Sequence, residues 1–426
     1  MTESPEAPGG SLFSLLADRP VRNLTGMQFA FSCGVFLQAS ALGKQVFDIT
    51  GRELDLGWLG LAEFLPAAIL VLVTGAVADR FDRRRVATIA LFGELLCSLA
   101  LTGYALTRPT RVWPLFVIAV CFGTSRAFVS PATRAMPPMV APEGTLPRVI
   151  ALNSATWTTA IIVGPAVSGF LYAAAPWAAY ATAAALVALG GVLLLGVRFR
   201  NAPPPAQTDT RPTLHSAFEG LRFIRRTPML LAAISLDLFA VLFGGAVALL
   251  PAIAEKRLGV GDVAYGWLRA SGGIGAAAMA TALAWRPITR HIGRRLFVAV
   301  ALFGAATIVL GSTHTYAVAF VAMIVLSAAD MVSVFIRSTL VPLVTPDSKR
   351  GRVLAVENVF IGASNELGAF ESGVAAAAIG TPATVIGGGV ATMLVVAVWS
   401  RMFPMLRRLD RFEDIEVPDD GEANRA

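Results

Sequence analysis

Twelve apolar runs of about twenty residues each, separated by short charged loops, constrain this chain more than any other feature. They lie at 24–42, 56–77, 86–106, 112–136, 149–172 and 175–197. After a polar stretch they resume at 229–253, 263–283, 296–311, 316–340, 353–378 and 382–402. A helix rises ~1.5 Å per residue and the hydrocarbon core of a bilayer is ~30 Å thick, so about twenty apolar residues span it. A spanning sheet needs alternating segments of about ten residues. The runs here are longer and do not alternate. In lipid the backbone must satisfy its own hydrogen bonds, which makes such runs helices. Composition agrees: 55% of residues are hydrophobic and only 15% are charged, against about 25% charged in a soluble domain. Too little polar surface remains to face water. The expected fold is an all-α membrane protein of twelve transmembrane helices in two six-helix bundles.

Basic residues set the expected orientation. One set of loops, with both termini, holds Arg80, Arg83, Arg84, Arg85, Arg134, Arg148, Arg294, Arg295 and many more. The opposite loops hold only Lys44, Arg52, Arg108, Arg111, Lys256 and Arg257. Positive charge marks the cytoplasmic side. The net charge of +7 is therefore topology, not a nucleic-acid footprint. No signal-peptide pattern precedes the first run. The expected divisions are a cytoplasmic segment 1–23, a bundle 24–197, a cytoplasmic central loop 198–228 containing Pro203, Pro204 and Pro205, a second bundle 229–402, and a cytoplasmic tail 403–426. The expected location is a bacterial inner membrane. Cys33, Cys97 and Cys121 lie inside apolar runs with no disulfide or metal spacing.

The chain repeats itself. Gly57-Trp58-Leu59 recurs 209 positions later as Gly266-Trp267-Leu268. Pro138-Met139-Val140-Ala141-Pro142-Glu143 recurs at an offset of 204 as Pro342-Leu343-Val344-Thr345-Pro346-Asp347. The same offset relates Arg148-Val149 to Arg352-Val353, Gly164 to Gly368 and Gly169 to Gly373. The halves read as parallel repeats of six helices, the plan of transporters whose halves rock around a central site.

Between the second and third runs stands Gly75-Ala-Val-Ala-Asp79-Arg80-Phe-Asp82-Arg83-Arg84-Arg85. Gly75 lets helices approach, and Asp79 suits a helix N-terminus. This segment resembles the signature loop of the major facilitator superfamily, with Asp82 where that pattern has glycine. The resemblance implies that Asp79, Arg80, Arg83 and Arg84 hold one half against the other and release as the protein switches. Arg85 reads as a positive-side anchor. The matching loop of the second half keeps only Gly293-Arg294-Arg295 with Arg286 and Arg290. In the fifth run, Gly164-Pro165-Ala-Val-Ser168-Gly169 resembles the Gly-Pro motif of the family's antiporters, with Ala160 where a further glycine is usual; close helix packing alone explains it equally well. Asp330 through Leu340, Thr345-Pro-Asp, Arg350-Gly-Arg352-Val and Ser364-Asn365-Glu366-Leu-Gly368 resemble the bacterial branch that includes the enterobactin exporter.

Charges inside the runs point to a pathway, because a charge in hydrocarbon needs a wet or paired interior. The resemblance implies that helices one, four, seven and ten line the cavity. Arg126, Asp237 and Asp330 fall on three of these. Arg126 and Asp330 are mates at the 204 offset and can pair with each other or hold a zwitterionic or polar substrate. Gln28 matches Asp237 at the 209 offset. Asp237 or Asp330 is the expected carrier of a coupling proton, with structural ion pairing as the alternative. Glu94 and Glu366 lie deep and suit either role. Arg337 and Glu357 are placed near the cytoplasmic ends, and Glu63 and Arg269 near the outer ends, where long side chains reach water. Asn358, Gly362 and Asn365 share one helix face and read as contacts between helices.

The expected function is secondary transport: proton-coupled export of a small amphipathic molecule, drug-like or a siderophore, by alternating access. Import or uniport by the same fold, or a non-transporting receptor, are the alternatives. No nucleophile elbow or phosphate-cradling loop appears, and the histidines His215, His291 and His314 are scattered, which argues against an enzyme. The expected partners are a small-molecule substrate and the bilayer, with no nucleic acid, for a monomer. No cofactor or metal is expected; a proton gradient is the expected energy source.

Overall fold

A computed structural model describes residues 12–200 and 214–415. Twelve long rods dominate: α1 (Arg19–Thr50), α2 (Glu53–Arg80), α3 (Arg83–Leu106), α4 (Trp113–Arg134), α5 (Leu146–Ala174), α6 (Pro176–Leu195), α7 (Pro228–Arg257), α8 (Asp262–Trp285), α9 (Ile292–Ser312), α10 (Tyr316–Val344), α11 (Asp347–Ile379) and α12 (Thr381–Met402). Eight of them, α3 to α7, α9, α10 and α12, are long and apolar enough to cross a membrane by length and composition. Large apolar side chains face outward, among them Ile69, Ile89, Phe92, Val192 and Leu394. An apolar exterior of this extent fits a lipid surround.

Ten of the rods overrun their apolar runs, while α4 and α6 fall a residue or two short at each end. The first was expected over 24–42 and extends over Arg19–Thr50; the eleventh, expected over 353–378, covers Asp347–Ile379. Apolarity marks where lipid begins, whereas the helix continues into water until something ends it. At α1 those devices are explicit. Asp18 accepts from the Val21 amide at 3.2 Å, Pro20 sits in the first turn, and Gly51 at φ +61° closes the helix on the Phe47 carbonyl. The central loop also holds a helix that polar composition concealed, Leu214–Arg226. Its Ile224 is buried while Arg222, Arg225 and Arg226 stay exposed. Arg352 of α11 bonds its Glu219 at 2.5 Å. The expected prolines 203 to 205 lie outside the described residues.

One rod breaks. The seventh run was expected as an uninterrupted span over 229–253. It is instead an α-helix over Pro228–Phe243, a 3-10 segment over Gly245–Leu249 and a π turn over Ile253–Arg257. Gly244-Gly245 and Pro251 are the residues that permit it. At Gly245 an added Cβ would meet the backbone of Gly368 on α11, so the break is also a close crossing.

In the first half α1 packs on α5 and α6, α3 on α4 and α6, and α2 on α4. In the second, α9 packs on α10 and α12, α8 on α10, and α7 on α11 and α12. The halves meet along two seams, α2 with α11 and α5 with α8. Each seam has a glycine-on-glycine crossing. A Cβ on Gly373 would lie 2.9 Å from the Gly57 Cα, and one on Gly169 would lie 2.9 Å from the Gly266 Cα. These four glycines are the repeat itself: Gly57 and Gly266 are mates, as are Gly169 and Gly373. Without hydrophobic drive between helices in lipid, small residues that let backbones touch supply the packing.

Candidate functional site

A cavity of about 320 Å³ lies between the halves. Its walls come from α1, α2, α8, α10, α11, from Phe303 of α9, and from α7 on both sides of its break. Irregular backbone at this depth is tolerated where it lines a cavity. Four charged side chains face into it: Glu63 of α2, Arg269 of α8, Asp330 of α10 and Glu366 of α11. A second cavity of about 480 Å³ shares Glu63 and Glu366, adds Arg126, and runs between α2 and α4 to Pro131 and Arg134. It therefore leads from the centre toward the face that carries the arginine-rich loops, here the basic face.

The expected pairing of Arg126 with Asp330 does not occur. The Arg126 guanidinium instead reaches Glu63, Nη1 to Oε2 3.5 Å, and lies over the Phe122 ring. Gly123, against the Glu63 backbone, brings α2 and α4 close enough for this. Asp330 has no ion-pair partner within 4 Å among the described residues. Glu63 and Arg269, expected near the outer ends, line the central cavity: Glu63 lies ten residues inside α2 and Arg269 seven inside α8. Arg269 also approaches the Tyr265 hydroxyl at 3.4 Å.

Asp237 belongs to a different cluster. Arg337 donates to it at 2.8 Å and approaches Glu357 at 3.6 Å. All three are buried. Arg337 and Glu357 thus do not snorkel to water; the helix continues beyond them, and they lie inside the bundle as an ion triad between α7, α10 and α11. Ion pairing, the alternative reading for Asp237, is what the structure holds. Gln28 bonds Ser32 on its own helix at 3.3 Å. Glu94 of α3 is fully buried, and neither of its carboxylate oxygens has a hydrogen-bond partner among the described residues. Asn358 and Asn365 each bond a carbonyl one turn back on α11, so they do not bridge helices; Asn365 lines the central cavity.

The signature loop is tied within its own half. Arg83 donates to the Ala135 carbonyl at 3.3 Å, and Arg84 to the Leu195 carbonyl. Arg80 is exposed. The surroundings of Gly75 and the side chain of Asp79 lie outside what the structure describes. Asp82, the departure from the family pattern, caps α3 by accepting from the Arg85 amide at 2.9 Å. A glycine's turn is replaced by a capped helix start. Gly164 packs on Phe36 and the Cys33 carbonyl of α1, and Gly169 makes the α8 crossing. Pro165 is buried between them in sequence, inside α5.

Sequence reasoning missed the closure at the opposite face. Lys44 of α1, nearly buried, contacts Asp48 on its own helix, Glu255 at 3.0 Å and Asp262 at 3.3 Å on the other half. Lys256 reaches back from that half to the Gly51 carbonyl at 2.7 Å and to Glu53 at 2.8 Å. Thr381 donates to the same Glu53 oxygen at 3.1 Å, and Tyr265 to the Ser40 carbonyl at 3.1 Å. Burial pushes the Glu53 carboxyl up, but the hydrogen bonds and charge of Lys256, with Thr381, outweigh this and hold it below the usual glutamate range. These are two crossed lysine straps, one from each half. The only advance signal was that the few basic residues of these loops sit beside acids.

This arrangement has close parallels. The family model for the Major Facilitator Superfamily matches residues 24–335. The chain is 26% identical over 381 residues to the multidrug efflux pump Tap of Mycolicibacterium fortuitum, covering 86% of this chain and 91% of Tap. It is 27% identical over 295 residues to the MFS-type transporter YfiS of Bacillus subtilis, covering 68% of this chain and 67% of YfiS. A bacterial homologue of the human lysosomal transporter Spinster, solved inward-facing and unoccupied, superposes with a TM-score of 0.71 at 13% identity, over 94% of this chain and 99% of that one. Two six-helix repeats, a charged cavity between them and a match over most of the length lead to one assignment: the chain belongs to the Major Facilitator Superfamily and is a membrane transporter, not an enzyme.

Proposed function

We propose that this transporter is a proton-coupled exporter of a small amphipathic molecule, working by alternating access in a bacterial inner membrane with its basic face in the cytoplasm. The observation that carries this reading is the cavity between the halves. It leads toward the basic face along α2 and α4, while crossed lysine straps join the halves at the opposite face. A cavity leading to the basic face and closed at the other supports loading from the cytoplasm. The efflux named for Tap supports the outward direction. The likeness of the Asp330 and Glu366 segments to the enterobactin exporter keeps siderophores among the candidate cargoes. The carboxylates supply the coupling. Among the described residues Asp330 and Glu366 face the cavity with no ion partner within 4 Å, and Glu94 lies buried without a hydrogen-bond donor. Such groups are tolerated neutral and costly when ionised, so taking up and releasing a proton changes which arrangement of the halves is favoured. Asp237, held by Arg337, is the weaker candidate for this role.

The test is purified protein in liposomes with an enclosed pH-sensitive dye, an imposed proton gradient, and a panel of dyes, antibiotics and siderophores. Compound-triggered proton movement, lost in Asp330→Asn and reduced at least tenfold in Glu366→Gln, is the expected result. Flux of a compound without proton movement would overturn the coupling and return these carboxylates to structural roles.

A further inference from the structure

The charges lining the transport cavity do not balance, and the imbalance has a sign. Arg126 and Asp330 occupy matching positions of the two repeats, 204 residues apart. On the first half the cation is already matched: Arg126 pairs with Glu63 at 3.5 Å. On the second half the anion is not. Asp330 has no ion pair within 4 Å among the described residues, yet it lines the cavity. Arg269 lines the same cavity as Glu366 and is the cation left to set against the carboxylate on the α11 wall. Two guanidiniums thus face three carboxylates, Glu63, Asp330 and Glu366. The surroundings do not repair the deficit. Asp237 shares a small cleft with Asp330, and its cluster holds two carboxylates to the single Arg337. Arg134 is exposed at the far mouth, where solvent screens it.

We propose, on the basis of the transporter reading above, that the central cavity selects organic monocations, and that the cargo's positive charge docks on Asp330. A buried carboxylate without a partner costs free energy that a proton or an organic cation removes, whereas an anionic cargo adds to the deficit. The rest of the wall suits an apolar body: Gly60, Gly244, Gly245, Ala248 and Ala369 present backbone and methyl groups, with Phe303 at one side.

Two probes of the same shape and opposite charge test this directly, tetraphenylphosphonium and tetraphenylborate. Binding of each to the purified protein in neutral detergent is measured by equilibrium dialysis, with empty micelles as the baseline. Saturable binding of the phosphonium is expected, at least tenfold tighter than any saturable binding of the borate. Asp330→Asn should weaken it at least tenfold, and Asp330→Glu should restore most of it, which separates charge from folding. Equal binding of the two probes, binding of neither, or an unchanged affinity in Asp330→Asn overturns the proposal. The transporter reading fails separately. Saturable phosphonium binding with no flux of any panel compound would overturn transport and leave the cation site standing. Flux confined to anionic or neutral compounds would do the reverse.

Discussion

Asp237 and Glu357 share one guanidinium in a buried space, so each depends on Arg337 for its charge. Removing the shared cation strands two acids, whereas removing one acid leaves a simple pair. Arg337→Met is therefore expected to destabilise the protein by about 3–5 kcal/mol and Asp237→Asn by less, read as unfolding midpoints in detergent. Equal costs would show that Glu357 is not part of the unit. Glu53 makes a prediction about pH. Burial pushes its carboxyl up, but the Lys256 and Thr381 contacts outweigh this and hold it below the usual glutamate range in the folded protein. The Lys256 strap's contribution is thus complete above the unfolded carboxyl range and disappears as pH falls through the lowered value. The stability gap between wild type and Glu53→Gln should be constant near neutrality and close on acidification below about pH 4. A gap that widens on acidification would refute this. The residues in both clusters were visible in the sequence as charges among apolar neighbours, but their partners were not. Arg126 meets Glu63 and Arg337 meets Asp237 across helices distant in the chain, and no local spacing encodes such a meeting. Depth misled as well, because counting from the end of an apolar run placed Arg337 and Glu357 too near the surface.

Helix crossings, not apolar burial, hold these rods together. At Gly266 a side chain would collide with the α5 backbone, 2.6 Å from the Pro165 carbonyl, whereas nothing lies within 4 Å of a Cβ on Gly387 of α12. Gly266→Leu should cost about 1–3 kcal/mol, and Gly387→Leu should be neutral or slightly stabilising because leucine is the better helix former; thermal melts of the two variants side by side check this. Existence and order of the rods were legible from apolar length alone. Their ends were not, since caps such as Asp18, Gly51 and Asp82 act beyond the lipid. The break in α7 had a signal in Gly244-Gly245, but one that equally suits close packing in an unbroken helix. Whether a paired glycine bends a rod depends on what packs there, and here Gly368 does.

The twofold plan of the whole molecule was the most legible level of all. Four of the residues repeated at offsets of 204 and 209, Gly57, Gly266, Gly169 and Gly373, are the crossings that join the halves, so these repeats mark the seams. The straps at the opposite face escaped notice because salt bridges between halves have no counterpart in periodicity or motif. Their role is open to a distance measurement. With spin labels on residues 52 and 261, Lys44→Met combined with Lys256→Met should lengthen the separation across the opposite face; an unchanged distance would mean that the glycine crossings alone keep it closed. Those crossings also set a mechanical ratio. Gly57 lies four residues from the start of α2, and from it to Arg80 the rod runs about 35 Å. A turn of about 10° about such a fulcrum sweeps the long arm through about 6 Å at the basic face, while the short arm barely shifts. Under the proposed alternating access the molecule acts as a pair of unequal levers, in which a slight slackening at one mouth becomes a wide stroke at the other.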